Sequence, residues 1–371
     1  MTRDRCWIVS PVAGTVLTND SWEAGIRYIG SKTRVAPQIA EIIGPPEGNG
    51  VFVDAFCGTG SVAAEVARAG WPIRLNDHLR CAVVMASGRL ISSADAPFET
   101  LGGYDTAIAR LNALPATGGF VWREYSPASS RFGTERRYFT EENAAMIDTI
   151  RDEIKAWKRE GLITPSEETL LLADLLAATS RVANIAGTFG CFLREWLDVA
   201  RLPLLLTTRD LPSHGPEVAA YNVDVAAVPV DSDDVVYLDP PYTKRQYAAY
   251  YHVLETITVG DEPVVGGVTG LRPWKDKSSN FCFKVRALNA IHSLVRQLPC
   301  RRVALSYSSE GHVELPALME SLSALGDVSL WELGEIGRYR PNSVASATAS
   351  SVKEFLINIA LVPSTSFASV P

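Results

Sequence analysis

The sequence predicts an α/β fold: a Rossmann-like sheet assembled from both ends of the chain, with an inserted, mainly helical region in the middle. Three observations carry this expectation. Residues 51–69 spell a strand, a glycine turn and a helix; a second apolar strand runs into Asp239-Pro240-Pro241-Tyr242; and the long stretch between them has a different texture. With 371 residues and 47% apolar composition, the chain can bury one large core and still build a second, smaller unit.

Val51-Phe52-Val53 is a short β-branched and aromatic run that ends in Asp54, and Phe56-Cys57-Gly58-Thr59-Gly60 leads directly into an Ala-rich helical stretch to Ala69. Gly70-Trp71-Pro72 stops that helix, and Ile73 to Asp77 reads as the next strand, completing one β-α-β unit. The α/β pattern resumes with Val235-Val236-Tyr237-Leu238 before the Asp-Pro-Pro-Tyr corner. A helix is expected from about Gln246 to Val259, another over Lys284 to Leu298, a strand over Val303 to Tyr307, and a helix over Leu315 to Leu325. Val328 to Leu333 and Phe355 to Val362 suit an antiparallel edge hairpin.

From Ser92 to about Gly215, an Arg- and aromatic-bearing loop (Phe120 to Phe139) precedes two helical stretches, Glu141 to Glu160 and Ser166 to Ala186. The expected division is therefore a first core segment at 20–91, an insert at 92–214, a second core segment at 215–362 and a disordered tail at 363–371. No internal repeat is present.

The six cysteines are scattered without zinc-ligand spacing, which points to a reducing, cytoplasmic setting and no metal. The N-terminus lacks a signal-peptide layout, and no apolar run approaches membrane-spanning length. A formal charge of -7 argues against generic coating of nucleic acid, which needs a positive surface. A local basic face would suffice to grip a short duplex, and Arg131, Arg136 and Arg137, or Lys275, Lys277, Lys284 and Arg286, are candidates; the same clusters also suit a solvated surface. Lys244 and Arg245, beside the Pro-Pro corner, are candidates for phosphate contact.

A glycine turn after a strand lets backbone approach a nucleotide, and an acid ending the next strand can accept both ribose hydroxyls; Gly58, Gly60 and Asp77 fit that pattern. The stronger signal is the corner at 239–242, because ligands of open α/β sheets bind past the carboxyl ends of strands. An exocyclic amine is a poor nucleophile, its lone pair being delocalised into the ring. A carboxylate (Asp239) and a backbone carbonyl (Pro240) that accept its two N–H bonds pull the nitrogen towards tetrahedral geometry and aim the lone pair. Tyr242 offers a flat face on which an extruded base could stack. Each pattern alone also fits a strand–helix turn with no ligand.

Taken together and in order, the motifs resemble those of the Dam-like, alpha-group DNA N6-adenine methyltransferases. Tyr28-Ile29-Gly30-Ser31-Lys32 is similar to that family's N-terminal Y-x-G-x-K element, Asp54 to Gly60 to its D-x-F-x-G-x-G cofactor loop, Asn76-Asp77 to its ribose-binding acid, and Asn222-Val223-Asp224 to its third cofactor contact. Flanking text also matches: Arg245-Gln246-Tyr247, Tyr251 to Glu255, Leu305-Ser306-Tyr307 and Lys353-Glu354-Phe355-Leu356. Thr243 departs from the Asn that many relatives carry after the corner. The resemblance implies S-adenosylmethionine as methyl donor, held by Tyr28, Lys32, Asp54, Phe56, Gly58, Gly60, Asp77 and Asp224. It also implies double-stranded DNA as substrate, a target-recognition role for the insert, a monomer, and a restriction-modification or phage-defence and host-protection setting, and it leaves open whether a cognate restriction endonuclease exists. RNA and protein amino-methyltransferases share the corner but usually keep it in one compact domain with the cofactor loop. A non-catalytic relative would be expected to lose Asp239. His252 is expected to be a packed histidine without a chemical role.

Overall fold

Strand β1 (Phe52–Asp54) lies inside a seven-stranded sheet that extends from it in both directions. On one side are β2 (Ile73–Asn76) and then β3 (Val218–Tyr221). On the other are β4 (Val235–Leu238), β5 (Arg302–Ser308), and then two strands paired out of sequence order, β7 (Val352–Leu361) before β6 (Gly326–Ile336). The first five strands are parallel, and β7 is antiparallel to both β5 and β6. The expected C-terminal hairpin pairing is present, with Val328 opposite Ile359 and Leu330 opposite Ile357. This computed structural model describes residues 28–336 and 352–361; residues 20–27 of the first expected segment and the expected tail at 363–371 lie outside them.

The central strands are apolar on both faces because helices cover both. Val235 and Tyr237 of β4 join Phe52, Ile73 and Leu75 on the face packed by α1 (Ala36–Ile43) and α2 (Ser61–Arg68), where Ile39, Val62 and Val66 are buried. Val236 and Leu238 point the other way, with Val53, Val303 and Leu305, against Ile291, Leu294 and Val295 of α10 (Lys284–Gln297) and Leu318 and Leu322 of α11 (Leu315–Ser323). Alternation of period two with both faces buried is what a parallel strand under two helical layers requires.

Between β2 and β3 the chain is helical: α3 (Arg80–Leu90), α4 (Tyr104–Asn112), α5 (Phe120–Tyr125), α6 (Glu141–Arg159) and α7 (Pro165–Arg181). Thr140 caps α6 by accepting from the Asn143 N–H, and Thr164 with Glu167 forms a reciprocal capping box at α7, with Pro165 in its first turn. Helix α7 ends at Arg181, before the expected Ala186, since the buried Asn184 side chain is engaged elsewhere: it donates to the carbonyls of Arg137 and Leu193 and accepts from the Leu197 N–H. These helices share one core with the later segment, as Leu171 and Leu175 of α7 cluster with Val253, Leu254 and Ile257.

The single helix expected over 246–259 is two, α8 (Tyr247–Tyr250) and α9 (His252–Val259), broken at Tyr251. The break buries the Tyr251 ring under the N-terminal segment, where its hydroxyl accepts from the Ile29 N–H at 2.6 Å. His252 is fully buried between Tyr125 and Tyr138, and burial pushes its pKa down to about 4, so it is neutral at physiological pH. Among the described residues no helix is long and apolar enough to cross a membrane.

Candidate active site

Strand order reverses between β1 and β4, the chain moving outward from β1 to β2 and β3 but from β4 to β5 in the opposite direction. Connections at such a point leave on opposite faces, so the strand ends border an open crevice. Asp54 ends β1 and pairs in register with Tyr237, which places Asp239 on the neighbouring strand end two residues further along. Here a cleft of about 280 Å3 opens, bordered by Tyr28, Lys32, Asp54, Phe56, Gly58, Asp77, Asp224 and Asp239. Three residues named from sequence do not border it: Pro240, Gly60 and Tyr242, whose hydroxyl is engaged by Lys32 and Glu354. Pro240 is buried beneath the corner, and Gly60 turns into the protein, where a Cβ would stand 2.8 Å from the Ala86 Cα.

The loop after β1 is shaped by its glycines. Gly58 has φ of 51° and Gly60 75°, the left-handed region that other residues enter at a cost, and a Cβ on Gly58 would press to 3.1 Å from the Tyr28 ring. Asp77 braces the loop from the end of β2, accepting from the N–H groups of Gly58 (3.1 Å) and Leu79 (2.9 Å). Burial pushes the Asp77 carboxyl up to about 6, against the pull of those two N–H groups. Asp54 is 1% exposed, its Oδ1 has no hydrogen-bond partner among the described residues, and burial with the neighbouring Asp239 and Asp77 holds its pKa well up. A buried carboxyl oxygen without a partner beside other acids carries an unfavourable desolvation cost that a hydrogen-bond donor or cationic group would offset. Asp224 is exposed at the rim, where it caps a short turn by accepting from the Ala226 N–H.

On the Asp239 side the cleft is bordered by Lys32. The Lys32 ammonium donates to the Tyr242 hydroxyl at 3.0 Å and to Glu354 Oε2 at 3.1 Å, and it lies 3.2 Å from Asp239 Oδ1. That last contact is an ion pair by distance without hydrogen-bond alignment, and Asp239 Oδ1 has no other partner among the described residues. Burial works against the charge on Lys32, but Asp239, Tyr242 and Glu354 together outweigh it and raise its pKa. Burial likewise pushes Asp239 up to about 6, with Lys32 opposing and Glu354 adding to the rise.

Lys32 owes its place to aromatic packing. Tyr28 stacks on Tyr251 at 4.4 Å between ring centroids, and the Tyr247 hydroxyl donates to the Ile29 carbonyl at 3.0 Å, so α8 and α9 clamp residues 28–30. Tyr28 is therefore both a cleft residue and a packing residue. Across the cleft, residues 277–281 form a strap. Gln246 exchanges hydrogen bonds with the Ser279 backbone in both directions, and Lys277 pairs with Glu255 at 2.7 Å. Phe56 meets Phe281 of this strap edge-on at 5.6 Å.

Glu354, Tyr247 and the strap are features of the site that sequence reasoning left without a role. The pair of tyrosines four apart was the available signal for the clamp; Glu354 carried none beyond its flanking text.

Among the proposed DNA contacts, Lys244, Arg245 and Lys275 are exposed, and Arg131 is exposed with its guanidinium over the Trp122 ring. Arg137 is half-exposed and already engaged by Glu135 and the Arg194 carbonyl. Arg136 requires a correction. It is 8% exposed, pairs with Glu124 at 3.0 Å and donates to the carbonyls of Glu124, Gly267 and Val268, so its charge is spent tying two loops together and is not presented to solvent. Accordingly, Arg136→Met should destabilise the protein by about 3 kcal/mol, since it strands a partly buried carboxylate. In a denaturation series with a DNA-binding salt titration alongside, stability should fall while the salt slope stays that of wild type. A reduced slope at unchanged stability would restore Arg136 to the DNA face.

The chain matches the family described as D12 class N6 adenine-specific DNA methyltransferase over residues 28–320, a span that contains the cleft from Tyr28 to Asp239 and the strap. The chain belongs to this family. It is similar to the type II methyltransferase M.FokI of Planomicrobium okeanokoites, 32% identical over 342 residues that cover 90% of this chain and 52% of that protein. It is also similar to the modification methylase StsI of Streptococcus sanguinis, 30% identical over 82% of this chain and 48% of that protein. The type II methyltransferase M.NlaIII of Neisseria lactamica is 30% identical over 89% of this chain and 98% of its own length. The chain thus spans about half the length of the first two relatives and nearly all of the third.

Proposed function

We propose that the chain transfers the methyl group of S-adenosylmethionine to N6 of an adenine turned out of double-stranded DNA. The observation that carries this reading is the meeting of two strand ends: Asp54 with its unpaired oxygen on β1, and Asp239 after β4, in one cleft. The residues fit the methyl donor. Asp54 would take its ammonium, Asp77 its ribose hydroxyls, Gly58 would let the backbone come close, and Tyr28, Lys32, Phe56 and Asp224 border the same space. When bound, the donor supplies a methyl already activated on positively charged sulfur, and the acidic cleft favours that charge.

The chain's own residues do the rest. The Asp239 carboxylate and the Pro240 carbonyl accept the two N–H bonds of the adenine amine, withdrawing it from ring conjugation and fixing the direction of its lone pair. Tyr242 stands beside the corner as the stacking surface for a base that is unreachable inside a duplex. Lys244, Arg245, Arg131 and Lys275 are the proposed phosphate contacts, and the helical region from α4 to α7 is the proposed target reader. A restriction-modification setting with a cognate endonuclease is supported by relatives named modification methylases, and action as a cytoplasmic monomer completes the proposal.

Asp239 must be ionised to accept the amine, and burial raises its pKa to about 6. Single-turnover transfer should therefore fall about tenfold per pH unit below that value and level off above it. A flat profile from pH 5 to 8 would show that the Asp239 charge is not needed. The function itself is tested by incubating the protein with duplex DNA and isotope-labelled donor and digesting to nucleosides. Label in N6-methyl-2′-deoxyadenosine supports the proposal; label only in cytosine, in RNA or in protein controls refutes it.

A further inference from the structure

Glu354 reaches the site from β7, whose pairing with β5 sets Glu354 opposite Ser308 at the carboxyl end of that parallel strand. Its side chain is buried, and both oxygens face the site: Oε2 accepts from Lys32 at 3.1 Å, and Oε1 lies 3.4 Å from the Tyr242 hydroxyl that donates to it. The Lys32 ammonium is thus shared: it donates to Tyr242 and Glu354 and also leans on Asp239, 3.2 Å away. An incoming amine needs the same Asp239 carboxylate that Lys32 leans on. Whether that carboxylate is available depends on what else holds the lysine.

We propose that Glu354 is a positioning residue for methyl transfer: by retaining the Lys32 ammonium and the Tyr242 hydroxyl, it keeps Asp239 open to the substrate amine. This rests on the function proposed above. The charged and titratable groups facing Asp239 are Lys32 before α1, Asp54 on β1, Tyr237 on β4, Tyr242 at the corner, Tyr247 on α8 and Glu354 on β7. Glu354→Gln removes one negative charge from this set and leaves Lys32 to settle on Asp239. Both changes favour the Asp239 carboxylate, so its titration moves to lower pH while the amine loses its acceptor to the lysine.

The test compares Glu354→Gln and Glu354→Asp in the full chain. For Glu354→Gln, kcat should drop about 100-fold with KM for the methyl donor within about threefold, and the acid limb of kcat should move to lower pH. Glu354→Asp, which keeps the charge, should recover most of kcat and the wild-type limb. Unchanged kcat in Glu354→Gln overturns the proposal. So does an equal loss in both variants with the limb unmoved, which is the mark of a purely structural role. A carbon-13 titration of the Asp239 carboxyl without DNA reads the same network whatever the substrate. If the wild type fails to methylate adenine, the functional reading falls, yet a lower Asp239 pKa in Glu354→Gln still supports the positioning role and an unchanged one rejects it.

Discussion

Asp239→Ala is expected to lower single-turnover methyl transfer by about 10³-fold or more while leaving affinity for S-adenosylmethionine within about threefold. The reason is that the two jobs are divided between adjacent strands. The groups proposed to face the donor, Asp54, Gly58 and Asp77, sit on β1, its loop and the end of β2, and the hydrogen bonds of Asp77 to that loop do not involve Asp239. The groups proposed to face the amine sit after β4, and losing the carboxylate would leave only the Pro240 carbonyl to fix the nitrogen. Lys32 keeps Glu354 and Tyr242 as partners, so the ammonium is not stranded. Rapid-quench transfer and calorimetric donor binding on the same preparation check both halves. Residual activity within tenfold of wild type would remove Asp239 from the chemistry.

The second large effect is expected at Asp54. Asp54→Ala should weaken S-adenosylmethionine binding by about 2–3 kcal/mol, roughly 30- to 150-fold in Kd, through loss of a charge-assisted contact in a buried place. The same change should leave the unliganded protein at least as stable as wild type. Burial and the nearby carboxylates raise the pKa of Asp54 against the pull of the Phe56 and Ala63 N–H groups, so ionising it costs folding free energy above its unfolded pKa; alanine sheds that cost and loses those two hydrogen bonds, and the former is expected to weigh at least as much. Calorimetry and thermal denaturation without ligand separate this outcome from simple unfolding. Weaker binding accompanied by a large drop in melting temperature would make Asp54 a structural residue instead.

How much of this could be read from the sequence depended on how local each feature is. Asp54, Gly58, Asp77 and Asp239 were legible because each lies at the end of a strand whose apolar run and punctuation are written in consecutive residues. Gly60 was legible as a special backbone position, but whether its missing side chain made room for a ligand or for Ala86 depended on α3, which packs from outside the motif. Arg136 and Arg137 look alike as text; the buried Tyr138 and Phe139 beside them show that the chain is turning inward, and only the folded loops decide that Arg136 is enclosed. Glu354 was the least legible. It lies 322 residues from Lys32, and what joins them is the out-of-order insertion of β7 between β5 and β6. The division of the chain into core segments and insert followed the change in texture, but the shared packing of α7 with α9 depends on contacts between segments that composition does not reveal.

The central claim, that this cleft methylates adenine in DNA, is tested most directly by single-molecule sequencing of DNA from cells that express the chain, with Asp239→Ala expressed as the control. The account predicts modified adenines in one sequence context in the first sample and none in the control. Unmodified DNA in both, from cells that make folded protein, would contradict it.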